Sequence, residues 1–343
     1  MLRAVPNLRP PVFELALSTL LLAGGGLVLA GCGDAGRAPE PDRFRVALLT
    51  PGSIRDAGWN QSAYEGLVEI RDQLGAEVAH QETATPQDFE AGFRDFAARG
   101  YDLVFGHGFE FQDAAARVAK EYPDTVFVTT SGNTIAANVS PIVFELEQAT
   151  FVLGFLAARI SQGGRVGAVG GMEIPSVAST FYAFEKGAER GGASTSISYT
   201  GSWTDVSAAR EATLAQISQG VDVLIHNANE GARGFFQAVN ESPGVYAYGA
   251  NRNQNGLAPE RVLASATLNV PRALRLVATE VAEDRFEARA LRFGLSSGVV
   301  AIEWNDALAA GVIEARGDGL KAQVAELIAQ VESGALRVPR GDF

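Results

Sequence analysis

Residues 100–105 read Gly-Tyr-Asp-Leu-Val-Phe, and residues 220–225 read Gly-Val-Asp-Val-Leu-Ile. Both open on a glycine, place an aspartate two residues on and run into aliphatic or aromatic side chains, and they lie 120 residues apart. Arg45-Val46 recurs as Arg165-Val166 at that spacing, and the step Tyr64-Glu65-Gly66 recurs as Phe184-Glu185-Lys186-Gly187. Three echoes at one offset point to a unit written twice. Around them, short β-branched or aliphatic runs alternate with longer helical patterns. Strands are expected at 45–50, 77–81, 102–106 and 125–130, with helices at 60–74, 86–99 and 112–121. The pattern restarts with strands at 165–169, 195–200, 221–226 and 245–249 and helices at 177–191, 205–219 and 231–240. Continuous apolar strands separated by helices predict parallel sheets covered on both faces. The fold class is therefore α/β, with two doubly wound parallel-sheet lobes joined by a hinge. A ligand is expected between the lobes, beyond the carboxyl ends of the strands.

Composition narrows the function. A chain of 343 residues suits two domains at roughly 100–200 residues each. It is 47% hydrophobic and 20% charged, a globular balance, and its formal charge of −12 argues against a nucleic-acid partner. One cysteine and three histidines build neither an intrachain disulfide nor a zinc site of the usual kind, and no cofactor is expected. The G-x-S-x-G elbow, the G-x-G-x-x-G dinucleotide loop and the G-x-x-x-x-G-K-[ST] phosphate loop are all missing from the sequence. No acid pair stands out as general acid and base. The chain reads as a binding protein and not an enzyme.

The first residues carry Arg3 and Arg9, then an apolar run from Leu15 to Ala30 that ends in Leu29-Ala30-Gly31-Cys32. A positive start, a greasy centre and small residues at its end predict an export signal over 1–31. The run is shorter than the ~20 residues of a transmembrane helix. The tetrapeptide resembles the bacterial lipoprotein signal, in which Cys32, the sole cysteine, is lipidated. Residues 32–43 then form the lipidated cysteine and a tether, and the body faces the periplasm or exterior of a bacterial envelope.

The loops after the strands hold the candidate site. Asp56, Trp59 and Asn60 follow the first strand: a carboxylate for hydroxyls or amines, a flat stacking face, and an amide with both donors and an acceptor. Their alternative roles are lobe core for Trp59 and helix cap for Asn60. His107, Phe109 and Asp113 follow the strand at 102–106; Asp113 suits either a helix cap or two hydroxyls of a sugar. His107 and His226 sit at matching places after the duplicated strands, and a structural role is expected for both. In the second half, Trp203, Asn227 and Asn251 follow successive strands, and Asp205 is placed to cap a helix. Trp59 in one lobe and Trp203 in the other suit a flat heteroaromatic ligand held between two plates.

These residues resemble the basic membrane protein family of bacterial lipoproteins, the purine nucleoside receptor-like substrate-binding proteins of ABC transporters. The resemblance runs from about Arg45 to the C-terminus and is carried by D-x-G-W-N-Q-S-A-Y-E-G at 56–66. Gly100 to Phe105, Gly154-Phe155-Leu156-Ala157-Ala158, Gly201-Ser202-Trp203-Thr204-Asp205, Leu257-Ala258-Pro259 and Gly334 to Pro339 support it in combination. It implies a type I periplasmic-binding-protein fold with three crossovers, with lobe one at 44–145 plus 268–290 and lobe two at 146–267 plus 291–343. It implies base stacking by Trp59 and Trp203, polar contacts from Asp56 and Asn60, and a ribose-holding carboxylate at Asp113. It implies a purine nucleoside ligand, an ABC permease partner, a lipid anchor and a monomer. Asn251 stands where the family often has Asp, and Leu268 where it often has Lys. The base is therefore left open, and so are a free nucleobase, another flat heterocycle and a ligand sensor without transport.

Overall fold

The computed structural model describes residues 43–342 apart from 57 and 318. The expected export signal, Cys32 and the tether up to residue 42 lie outside the described residues. Two sheets of six strands form the body. In chain order the first lobe contains β1 (Arg45–Thr50), α1 (Trp59–Leu74), β2 (Glu77–Glu82), α2 (Pro86–Ala98), β3 (Leu103–Gly106), α3 (Gln112–Val118), β4 (Val126–Thr130) and β5 (Val139–Phe144). The chain crosses into α4 (Glu147–Ile160), β6 (Arg165–Gly170), α5 (Pro175–Gly191), β7 (Ser194–Tyr199), α6 (Val206–Ser218), β8 (Val223–Asn227), α7 (Ala232–Glu241), β9 (Tyr246–Asn251) and β10 (Val262–Leu268). It returns for α8 (Val270–Ala282) and β11 (Leu291–Phe293), then crosses again for β12 (Val300–Trp304), α9 (Asp306–Glu314) and α10 (Leu320–Glu332).

The sheet orders are β11-β5-β4-β3-β1-β2 and β12-β10-β9-β8-β6-β7. All neighbours are parallel except β12, which runs antiparallel to β10. The 120-residue echo encodes one repeated device. Asp102 Oδ2 accepts the backbone N–H of Arg45 at 2.7 Å, and Asp222 Oδ2 accepts that of Gln162 at 2.6 Å, so each aspartate pins the segment entering its lobe's first strand. Arg45 donates to the Arg99 carbonyl, and Arg165 Nη1 donates to the Gln219 carbonyl at 3.0 Å. Gly66 and Gly187 both mark close helix approaches. A Cβ on Gly66 would lie 2.9 Å from Pro271 Cα of α8, and one on Gly187 would lie 2.0 Å from the Phe151 carbonyl oxygen of α4.

Two lobe limits differ from those expected. Leu291–Phe293 was placed in lobe two, yet it pairs with β5 through Leu291↔Ile142 and extends the first sheet, so the return crossing follows Phe293. Leu268 was placed in lobe one, but it closes β10 opposite Val300 and packs against the cores of both lobes. At the crossings, Glu145 N donates to Phe293 O at 2.8 Å, Leu295 N to Gln148 Oε1 at 2.8 Å, and Asn269 N to Val299 O at 2.7 Å. Arg340 adds a brace there, with Nη2 3.0 Å from Glu147 Oε1.

Candidate ligand-binding site

The loop between β1 and α1 is organised by Asp56. Its carboxylate accepts the backbone N–H groups of Gly58 at 2.9 Å, Asn60 at 2.9 Å and Gln61 at 3.0 Å. These are the orphan donors of a helix start, where a negative charge also meets the positive end of the helix dipole. This corrects the expectation of a carboxylate free for a ligand: Asp56 is turned into α1 and sets the loop. Trp59 is the first residue of α1. Its indole stacks on His107 with centroids 4.1 Å apart and planes 24° apart, and it meets Phe144 edge-on at 6.0 Å. The ring is partly exposed, so it serves both readings: one face packs on the lobe and part of it remains accessible.

Asn60 lies inside α1 and is no cap. It is buried, and its side-chain oxygen has no hydrogen-bond partner among the described residues. A buried amide oxygen left unpaired costs ~1–3 kcal/mol, so a donor from a bound molecule would relieve it. Phe109 is partly buried on a short 3₁₀ turn that leads into α3. Asp113 is exposed in the first turn of α3 and does not cap it, and its carboxylate holds no hydrogen bond among the described residues.

The second lobe brings its candidates into one chain of contacts. Trp203 lies against Gly171, where a Cβ would sit 2.5 Å from the ring. Gly171 N donates to Asn227 O at 2.9 Å, and Asn227 Oδ1 accepts from Asn251 Nδ2 at 3.1 Å. Asn251 ends β9 with φ at 68°, a left-handed conformation that asparagine tolerates better than most residues. Asp205 caps α6 through Ala208 N at 2.9 Å, as its position predicts.

Arg252, which follows Asn251, was not singled out by the sequence reading. Its Nη1 donates to the Gly58 carbonyl at 3.4 Å, and its Nη2 lies 3.9 Å from Glu65 Oε1. Asn229 also faces that loop: a Cβ on Gly58 would come within 3.0 Å of Asn229 Oδ1. Second-lobe side chains therefore reach the first-lobe loop that leads into Trp59 and Asn60 at the start of α1. The histidines are structural, as expected. Both are buried, and burial pushes His107 down to about 3 and His226 to about 4, which leaves both neutral at physiological pH. A shallow hollow of about 510 Å³ lined by Gln162, Tyr246, Leu308, Val312 and Arg316 lies on lobe two. It sits by the first residue of β9, at the amino end of that strand and away from these carboxyl-end loops.

The family model described as "ABC transporter substrate-binding protein PnrA-like" matches residues 44–330. The chain belongs to this family. It is similar to basic membrane protein A of Borreliella burgdorferi, 28% identical over 289 residues, covering 82% of this chain and 85% of that one. It is also similar to the transcriptional activator protein med of Bacillus subtilis, 29% identical over 278 residues, covering 80% of this chain and 86% of that one. The fold is that of a solute-binding protein of an ABC transporter system from Aeropyrum pernix, with a TM-score of 0.75 at 21% identity over 87% of this chain and 94% of that one. Members of this PnrA-like family are extracytoplasmic solute-binding proteins, which capture a small molecule for a permease and catalyse nothing. Among the described residues, no helix is long and apolar enough to cross a membrane.

Proposed function

We propose that this substrate-binding protein is held to the membrane by a lipid on Cys32, captures a purine nucleoside between its lobes and hands it to an ABC importer. The observation that carries the reading is the pairing of Trp59 with Asn60. A partly exposed indole and a buried, unpartnered amide oxygen are neighbours in the first turn of α1, the first suited to a base face and the second to an N–H on the base edge. Trp203 is the second plate, and the linked amides Asn227 and Asn251 offer polar contacts from the other lobe. Phe109 borders the base. Asp113 takes the ribose hydroxyls, for which its exposure and lack of a protein partner leave it available. Asp56 serves by holding the loop. The protein works as a monomer, with lobes at about 44–145 plus 269–293 and 146–268 plus 294–342.

Calorimetric titration with adenosine, inosine and guanosine tests this on Trp59→Ala and Trp203→Ala. Base–aromatic stacking contributes ~1–3 kcal/mol per base, so each variant should bind roughly 5- to 150-fold more weakly. Unchanged affinity in both would remove the stacking mechanism. A second reading is favoured by the likeness to a protein named a transcriptional activator: the same site would report a ligand and transport nothing. Uptake of labelled nucleoside in a deletion strain separates the two.

A further inference from the structure

His107 lies just beyond β3 with no exposed surface. Its Nε2 is 3.0 Å from the Trp59 carbonyl, and its Nδ1 is 3.1 Å from Thr130 Oγ1. A carbonyl only accepts, so the proton sits on Nε2, and Nδ1 accepts from the Thr130 hydroxyl. The same ring lies flat against the Trp59 indole. One imidazole thus fixes both the backbone and the plane of Trp59.

His226 lies inside β8, at the register position that Gly106 holds in the first lobe, one residue before the equivalent of His107 and so on the other face of its sheet. It is buried, and its Nε2 is 2.8 Å from Gln254 Oε1, which also accepts the Ala250 N–H at 2.9 Å. That second donor identifies the Gln254 atom as the oxygen, so His226 too carries its proton on Nε2. The Gln254 backbone N–H donates to Ser265 Oγ at 3.0 Å, and Ser265 donates to Asn255 Oδ1 at 2.8 Å. The ring packs against both Phe235 and Phe236, with centroids 4.9 and 5.1 Å away, and the two phenylalanine rings lie 5.2 Å from each other. What this network fixes is the turn at 250–255, which holds Asn251 in its left-handed conformation and aims Arg252 at the Gly58 loop.

We infer that His107 and His226 are two positioning residues, one in each lobe, neutral imidazoles with the proton on Nε2, each presetting a segment that its lobe presents to the ligand: His107 the start of α1 at Trp59, and His226 the turn at 250–255. This rests on the ligand reading above for what the loops bind, but not for the geometry. A positive ring would have a second N–H: on His107 the Thr130 hydroxyl would have to turn from donor to acceptor, and on His226 the N–H would point into a buried space where Nδ1 has no partner among the described residues. Among charged groups, the Asp56 carboxylate pulls a proton towards His107, and burial outweighs it.

The test uses two readouts on the purified protein. Long-range ¹H–¹⁵N correlation of the imidazoles, without ligand, should show Nε2–H tautomers for both rings with no titration between pH 5.5 and 8. Nδ1–H tautomers, or ordinary titration near neutrality, would overturn the inference. The second readout is adenosine affinity together with Trp59 emission, isolated by difference against Trp59→Phe. His107→Phe keeps a flat ring and loses both hydrogen bonds, and should weaken binding about tenfold and shift Trp59 emission. His107→Gln keeps a donor for the Trp59 carbonyl and should recover most of that loss. If Phe at 107 changes neither affinity nor emission, the ring merely fills core. If the wild-type protein binds no nucleoside at all, the ligand reading fails, and the tautomers and Trp59 emission still decide the positioning role.

Discussion

Acid should destabilise this protein well before its carboxylates titrate, and the two buried histidines set the size of the effect. Both have an ordinary value of 6.5, and burial depresses them in the fold to about 3 for His107 and about 4 for His226. At pH 5 the unfolded chain protonates both rings while the fold protonates neither. The unfolded state then binds more protons, so stability falls as pH falls. At 1.36 kcal/mol per pH unit below 6.5, each ring contributes about 2 kcal/mol of loss between pH 7.5 and 5, about 4 kcal/mol together. The stability is fully present above about pH 7 and declines until the rings themselves protonate near 4 and 3. His80, lowered chiefly by its partial burial, acts in the same direction. Glu147 acts in the opposite direction: burial raises it, so acid relieves its cost. The assay is urea unfolding at pH 7.5, 6 and 5, followed by circular dichroism and tryptophan emission, with coincident midpoints required before free energies are extracted. The His107→Gln, His226→Gln double variant should lose most of the slope. A flat profile in the wild type, or an equal slope in the double variant, would refute the reasoning.

Gly187→Ala should force α4 and α5 apart, because the new methyl would fall 2.0 Å from the Phe151 carbonyl oxygen. A loss of about 3 kcal/mol, or roughly 6–12 °C in the melting midpoint, is expected by calorimetry. Arg252→Ala should barely change stability, since its contacts to Gly58 and Glu65 are partly exposed. It should instead speed nucleoside release a few-fold in stopped-flow while leaving association unchanged.

The doubled lobes are legible in sequence because their repeated residues perform one local task twice. Asp102 and Asp222 each tie down a strand entry, and that task leaves the same Gly-x-Asp signature. The connecting elements leave no such mark. In α4 ten residues, from Glu147 to Ile160, are buried on all sides, so no amphipathic stripe betrays a helix. In β5 Pro141 sits inside the ladder, where a proline ordinarily argues against a strand. Trp59 and Asn60 are readable as site candidates because the fold class alone puts them beyond a strand end. Their partners come from tertiary structure: His107 reaches the Trp59 carbonyl from 48 residues away, and Arg252 reaches Gly58 from 194. Asp56 misleads because three backbone donors at a helix start claim a carboxylate that looks free in the sequence.

The central claim, capture of a purine nucleoside, is tested most directly by thermal shift of the purified protein against nucleosides, free bases and riboflavin. The sample is first shown by mass spectrometry after denaturation to be free of ligand. A ligand at about 100 times its dissociation constant stabilises the fold by about 2.7 kcal/mol, a rise of several degrees for lobes of this size. The account predicts that rise with purine nucleosides and little or none with the bases, because Asp113 meets only a ribose. A shift confined to bases or riboflavin, or an empty protein that responds to none of these compounds, would contradict it.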